Sequence, residues 1–310
     1  MAIEKIDIES FLKLSETFPI LDVRSPGEYL HAHIPGAVSV PLFTDEQRKI
    51  IGTAYKKESR QKAVNIGLGY FSERMKTIPG EVLQIMEEFK DKGDVYQSGI
   101  LLHCWRGGMR SDAVAWLLNL FGYKVFLLKG GYKFFRRWVL QQFEKEYSLR
   151  IIGGYTGSGK TEILNELKLR NKKMIDLEGL ANHRGSAFGA LGQKPQPSTE
   201  LFENLLALEL WKLSENQNND NAQTKNEDKD IWVEDESAHI GTVGIPKIFW
   251  LQMRKSKLYF LDIPFEERLK NVVKVYGDFE KQKLTECVLK IQKRLGGLDT
   301  KNTLQFINEE

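Results

Sequence analysis

The stretch "RIIGGYTGSGKTEIL" constrains the fold more than any other part of this chain. Gly154-Tyr155-Thr156-Gly157-Ser158-Gly159-Lys160-Thr161 fits the pattern G-x-x-x-x-G-K-[ST]. It follows the apolar pair Ile151–Ile152 and precedes a helical pattern, which is the strand–loop–helix context that gives the motif its meaning. Loop amides, the helix N-terminus and the Lys160 ammonium all point at whatever occupies such a loop, so the segment predicts a di- or triphosphate site. Gly154, Gly157, Ser158, Gly159 and Lys160 are its phosphate-binding candidates, and the Thr161 hydroxyl is positioned for Mg²⁺. A second strand with an acidic end, "DIWVEDES", offers Asp235 or Glu234 as the acid that accompanies such a loop, with Asp176 in "MIDLEG" as a competitor. For each acid taken singly, a solvated strand end is an equally good account.

A second strand–loop–helix unit lies upstream in "ILLHCWRGGMRSDAVAWLL", residues 100–118. One of only two cysteines, Cys104, ends an apolar run, and Ser111–Phe121 carries a helical stripe closed by Gly122. Gly107 and Gly108 offer unusual dihedrals, while Arg106 and Arg110 add two permanent charges. A thiol held there is expected to ionise easily and act as a nucleophile; the alternative is an inert buried cysteine at a strand end.

The two units predict an α/β chain of two domains, and 310 residues suffice for two cores. The first is expected over 1–146, with short strands at Ile20–Val23 and Ala37–Val40 and a mainly helical insertion at about 43–90. The second is expected over 147–310. There "SENQNNDNAQTKNEDKD", residues 214–230, reads as an exposed or disordered loop, and "QKLTECVLKIQKRLGGL" as a helix ending at Gly296–Gly297. Net charge is +3, which neither demands nor excludes a nucleic-acid partner. The N-terminal "MAIEKIDIESFLKL" lacks the apolar core of a signal peptide, and no apolar run approaches a membrane span. Cys104 and Cys287 are far apart, against a disulfide framework. A cytoplasmic location is expected. His33 has no partner at metal-ligand spacing.

His103-Cys104-x5-Arg110-Ser111 matches the loop signature of cysteine phosphatases and resembles the active loop of rhodaneses. "LDVRSPGEYLHAHIPGAVSVP", residues 21–41, and "LLKGGY", residues 127–132, resemble the rhodanese pattern, in which Asp22 and Arg24 are expected to fix the loop. "CWRGGMRS", "GGYTGSGKTE", "IDLEGLANHRGSAFG" and "WVEDESAHIG" occur in one order, and in that order the chain resembles the tRNA 2-selenouridine synthase family over about residues 20–297. The resemblance implies a rhodanese-like domain followed by a P-loop NTPase-like α/β domain. It implies a transferase that replaces the sulfur of wobble 2-thiouridine in tRNA with selenium from selenophosphate, after geranylating that sulfur with geranyl diphosphate. It makes Cys104 the chalcogen-handling nucleophile, assisted by Arg106 and Arg110, and places His183 and Arg184 at the substrate. A selenophosphate-supplying enzyme becomes an expected partner. Members of the family often continue past "RLGG", whereas this sequence stops at Glu310: either the family tolerates a short C-terminus, or a tail contributing to tRNA binding is missing. The P-loop then reads as a diphosphate clamp, although the motif alone favours a nucleotide.

In "YKFFRRW", residues 132–138, Lys133, Arg136 and Arg137 are candidates for RNA phosphates, with the aromatics expected to pack inward. Two other functions fit the residues taken without the resemblance. One is a cysteine phosphatase fused to a nucleotide-binding domain, and the other a P-loop kinase or nucleotide-binding protein with a rhodanese docking module.

Overall fold

The computed structural model describes residues 3–90, 99–219 and 229–309, and the chain divides into two compact units, Met1–Leu140 and Gln141–Glu310. The division falls inside a helix, ahead of the Glu146 boundary suggested by charge.

The first unit runs β1 (Ile3–Ile6), α1 (Ile8–Leu14), β2 (Ile20–Asp22), α2 (Pro26–His31), β3 (Ala37–Ser39), α3 (Asp45–Lys57), α4 (Arg60–Arg74), α5 (Ile78–Lys90), β4 (Gly99–His103), α6 (Met109–Leu120) and β5 (Lys124–Leu128), and α7 (Gly131–Glu144) crosses into the second. The sheet order is β1-β5-β4-β2-β3, and every pair is parallel. Parallel strands are covered on both faces, which is why β4 reads Gly-Ile-Leu-Leu-His with all five residues buried. β1 is an edge strand with only Ile6 buried, too short and polar to be seen in the sequence. Helices α3–α5 fill the expected insertion. Thr44 with Gln47 forms a capping box that starts α3, and the Ser59 hydroxyl accepts from Lys62 N–H to start α4. Phe43, Phe71, Ile78, Val82 and Met86 bring this insertion onto the same core as Leu21, Ile100, Leu102 and Cys104.

The second unit runs β6 (Leu149–Gly154), α8 (Lys160–Leu169), β7 (Met174–Ile175), α9 (Leu177–Ala181), α10 (Thr199–Asn219), β8 (Ile231–Glu234), β9 (His239–Ile240), β10 (Val243–Gly244), α11 (Lys247–Lys255), β11 (Lys257–Leu261), α12 (Phe265–Tyr276), α13 (Lys281–Lys290), α14 (Gln292–Leu295) and α15 (Gly297–Glu309). Its parallel sheet has the order β11-β6-β8-β7, and β9 and β10 form a small antiparallel hairpin.

Two expectations change here. Residues 214–219 close α10 instead of forming a loop, and the helix is anchored earlier by the buried Phe202, Leu206 and Leu210. Residues 220–228 of that stretch lie outside the described residues. At the other end, Gly296, with φ +88°, stops α14 but does not end the helical region, since α15 starts at the next residue. Among the described residues no helix is long and apolar enough to cross a membrane.

Candidate functional sites

In both units the candidate residues gather beyond the carboxyl ends of parallel strands, where loop backbone and helix N-termini converge. In the first unit β4 ends at His103 and Cys104 is the first residue past the sheet. Tyr132 N–H donates to Cys104 O (2.9 Å) and Lys133 N–H to Trp105 O (2.9 Å), tying the start of α7 to the loop. The two segments interleave only because two glycines lack side chains. Gly107 has φ +63°, and a Cβ on it would lie 2.8 Å from Leu128 O; Gly131 has φ +59°, and a Cβ on it would lie 2.4 Å from Cys104 O. Gly108 does not share this role: its φ is −127° and its Cβ position is open.

The Cys104 sulfur is buried and lies 3.3 Å from Ser111 Oγ. Burial acts to raise the thiol pKa, but the Ser111 hydroxyl, the Arg110 charge and backbone hydrogen bonds at Gly108 and Arg106 outweigh it, and the thiol ionises below its ordinary value. The two arginines therefore differ. Arg110 acts through its guanidinium, whereas Arg106 acts through its backbone and leaves its side chain exposed. Arg110 Nη1 donates to Glu28 Oε2 (2.8 Å), and Arg48 lies 3.7 Å from the same oxygen. Burial tends to raise the Glu28 pKa, but the hydrogen bond and charge of Arg110 win and hold it below the usual carboxylate range. Sequence reasoning missed Glu28 as the partner of Arg110. Its one signal was Ser25-Pro26-Gly27-Glu28, a capping box that fixes the acid at the first turn of α2.

Asp22 and Arg24 brace the loop from below. The fully buried Arg24 guanidinium bonds the Asp22 carboxylate through Nε (2.9 Å), donates to Ala32 O (2.7 Å) and lies 3.8 Å from the Tyr132 ring centre. His103 is wholly buried, and burial lowers its pKa and keeps the ring neutral. His33 stacks on Tyr29 (4.1 Å). Among the described residues no group of three or more His, Cys, Asp or Glu side chains is arranged to hold a metal. On α7, Tyr132, Phe135 and Trp138 are buried, Lys133 and Arg137 are exposed, and Arg136 is half-buried.

In the second unit the phosphate loop lines a cleft of about 290 Å³. Gly157 (φ +81°) and Gly159 (φ +82°) adopt left-handed dihedrals, and Lys160 Nζ donates to Gly154 O (3.1 Å). Helix α12 braces the loop from outside. Asn271 Nδ2 donates to Gly157 O (2.9 Å), and a Cβ on Gly157 would lie 2.5 Å from Arg268 O. Gly154, Gly157, Ser158, Gly159, Lys160 and Thr161 all line the cleft, as does Arg184. His183 does not: it is buried, and burial lowers its pKa.

The acids are arranged differently from the sequence expectation. Asp176 caps α9, accepting from Gly179 N–H (2.7 Å). Glu234 is buried and accepts from Glu178 N–H (2.7 Å), leaving Oε2 without a partner. Burial, with the nearby Asp176 charge, pushes Glu234 up to about 8. Asp235 lines the cleft but is ion-paired with Arg254. The acids facing Lys160 are Glu178 and Glu236, which sequence reasoning did not single out. Burial and the neighbouring Glu236 push Glu178 up to about 8, with Lys160 acting in the opposite direction, and burial raises Glu236. Gly185 (φ +63°) packs against both, since a Cβ there would lie 2.6 Å from an oxygen of each. Glu178 was visible only as part of "IDLEG" and Glu236 as part of "VEDES".

A family profile described as "tRNA 2-selenouridine synthase AAA domain" matches residues 147–309, and one described as "Rhodanese-like domain" matches residues 7–137. Curated relatives named tRNA 2-selenouridine synthase include that of Nitrosomonas europaea, 35% identical over 87% of this chain and 66% of the relative. That of Nitrosomonas eutropha is 35% identical over 84% and 63%, and that of a Sulfurovum species 35% identical over 90% and 76%. The chain thus spans about two thirds of the length of the Nitrosomonas proteins it matches.

Proposed function

The chain belongs to the tRNA 2-selenouridine synthase family, and on that premise we propose that it is a tRNA-modifying transferase that replaces the sulfur of wobble 2-thiouridine with selenium. The observation that carries this reading is Cys104, a buried thiol that nonetheless ionises below its ordinary value, in a chain whose other unit holds a phosphate loop.

In the first step the P-loop clamps the diphosphate of geranyl diphosphate. The thiocarbonyl sulfur takes the geranyl group, and diphosphate leaves toward Lys160 and the loop amides, which stabilise its charge. Alkylation converts a poor leaving group into a good one. In the second step selenophosphate delivers selenium at the Cys104 loop, where Arg110 offers charge to the anion and Cys104 handles the chalcogen.

Mg²⁺ fits the residues of the cleft: Glu178 and Glu236 carry carboxyls that the fold leaves short of positive charge, and Thr161 lies among them. Those three residues would hold it, and the ion would neutralise diphosphate charge. Arg184 is the better anion contact of the pair His183–Arg184, because it lines the cleft. Lys133, Arg136 and Arg137 are assigned to the RNA backbone. We assign the reaction to the cytoplasm, with an enzyme supplying selenophosphate as a partner, because the substrate is tRNA.

Purified chain incubated with a 2-thiouridine anticodon stem-loop, geranyl diphosphate and selenophosphate tests the reading. Nucleoside mass spectrometry should show S-geranyl-2-thiouridine and then 2-selenouridine. Turnover of a generic aryl phosphate without either nucleoside would mark a phosphatase, and nucleoside-triphosphate turnover without RNA a nucleotide enzyme.

A further inference from the structure

The second unit carries an exposed aromatic cluster beside the phosphate loop that neither step above uses. Tyr155 is the second residue of the loop, and its ring stands edge-on to Phe260 of β11, with centres 5.4 Å apart. The Arg268 guanidinium of α12 lies 4.9 Å from the centre of the Tyr155 ring and 5.5 Å from that of Phe265. Its Nε donates to Ile263 O (3.1 Å), which tethers the group between the two rings. Tyr155 is 59% exposed, Phe265 61% and Phe260 50%. Leu258, two residues earlier on the same face of β11, is exposed as well.

Single exposed apolar side chains are common, but a contiguous group of them marks a binding surface. β11 is an edge of its sheet, and it pairs Phe260 with Gly153 and Leu261 with Gly154, the residues that lead into the loop. Gly153 has no positive φ to require a glycine, yet a Cβ on it would lie 2.8 Å from Leu258 Cδ1 and 3.4 Å from Phe260 Cδ2. Its missing side chain lets both residues lie across β6, so the apolar face runs on to Tyr155. The place of the cluster selects its occupant. In the alkylation step the sulfur of the wobble base has to reach the carbon that carries the diphosphate, and the phosphate loop holds that diphosphate. The bases joined to the wobble base therefore meet the surface that flanks the loop. Aromatic rings with a guanidinium beside them suit unpaired bases, because every base has a π-face and arginine adds a cation–π contribution.

We propose that Tyr155, Phe260, Phe265 and Arg268 form a stacking platform for the unpaired anticodon bases that flank the wobble 2-thiouridine. The platform presents the sulfur to the diphosphate clamp. The assignment rests on the alkylation step of the reading above. Stacking needs an open base face, which a loop offers and a closed duplex does not. The platform thus selects anticodon loops over helical RNA, and it tolerates different flanking bases.

The test uses the full chain, a 2-thiouridine anticodon stem-loop and an RNA duplex of equal length and charge. Phe260→Leu keeps apolar bulk and loses one ring, and Tyr155→Ala removes another. Each should weaken stem-loop binding by roughly five- to hundredfold, the range for one stacked base, and leave duplex binding unchanged. Tyr155→Phe should bind like the wild type. A stem-loop with abasic residues flanking the wobble position should bind the wild type as weakly, and Phe260→Leu should cost it nothing further. Titration with geranyl diphosphate should give the same affinity in the wild type and in Phe260→Leu. Stem-loop binding untouched by Phe260→Leu, or weakened equally for the duplex, overturns the platform, and the alkylation reading stands if geranyl is still transferred. Loss of ADP binding in place of stem-loop binding would give the rings to a nucleotide's base and overturn the assignment. Self-association of the wild type that Phe260→Leu abolishes would make the cluster an interface between copies and overturn it too. If the losses appear as expected but no geranyl is transferred, the alkylation reading fails and the platform stands.

Discussion

The Cys104 loop and the phosphate loop share a backbone plan, a buried parallel strand, a glycine-bearing turn and a helix N-terminus, yet they treat acidic groups in opposite ways. At the first loop a buried thiol is pulled below its ordinary value by Ser111, Arg110 and backbone hydrogen bonds, despite burial. At the second, buried carboxyls are pushed up, Glu178 and Glu234 each to about 8, by burial and by a neighbouring acid, Glu236 beside Glu178 and Asp176 beside Glu234. The plan supplies a helix dipole and free N–H groups in both cases. Side chains from distant parts of the chain decide whether the site holds its own anion or is completed by one that arrives with its cation. At the first loop Arg110 serves both Glu28 and the Cys104 sulfur. The second faces Lys160 with two acids that share too little positive charge.

The largest expected effect lies at the first loop. Cys104→Ala should reduce 2-selenouridine below detection while S-geranyl-2-thiouridine accumulates, as read by nucleoside mass spectrometry. Wild-type selenouridine levels would remove the nucleophile from the comparison altogether. At the second loop, Lys160→Ala should weaken the diphosphate donor and slow alkylation by roughly tenfold or more, since a charge-assisted contact contributes ~1.5–3 kcal/mol. Unchanged geranylation kinetics would return the loop to a nucleotide role.

Arg110→Ala should carry the pH profile of Cys104 alkylation by iodoacetamide upward, because the guanidinium charge that favours the thiolate is lost. Cys287, whose thiol burial pushes up, is the control within the same chain and should not move. Site-resolved peptide mass spectrometry reads both, and an unmoved Cys104 would mean that its depressed value owes nothing to Arg110.

The smallest effect concerns Glu234. Its folded-state pKa of about 8 exceeds the ordinary 4.5, so its favourable contribution is complete below about pH 4.5 and is lost as pH rises through 8. Glu234→Gln keeps an oxygen for Glu178 N–H and removes the charge. It should match the wild type in melting temperature near pH 5 and exceed it at pH 9, where the wild-type carboxyl has to ionise inside the fold. Equal melting temperatures at both pH values would show that Glu234 is not held neutral by the fold.

Local sequence was enough for the parts of both sites that depend on backbone conformation. The apolar runs of β4 and β6, the unusual dihedral at Gly107 and a helix after each loop follow from residues adjacent in the chain, although the first helix starts at Met109 and not at Ser111. The same locality explains the errors. Gly108 resembles its neighbour in sequence but needs no special dihedral, and Arg106 resembles Arg110 but leaves its guanidinium in solvent. β1 was illegible because an edge strand buries only one of its four residues and so writes almost no apolar pattern.

What only the tertiary structure decided is the company each charge keeps. Glu28 meets Arg110 across 82 residues, and Glu234 accepts the Glu178 N–H across 56. The aromatic cluster at Tyr155 joins the end of β6 to β11 and α12. Backbone dihedrals are set by sterics within a few residues and can be read along the chain. A pKa is set by every charge and hydrogen bond within several ångströms and by how much water the fold excludes. Those neighbours are fixed only when distant segments pack together.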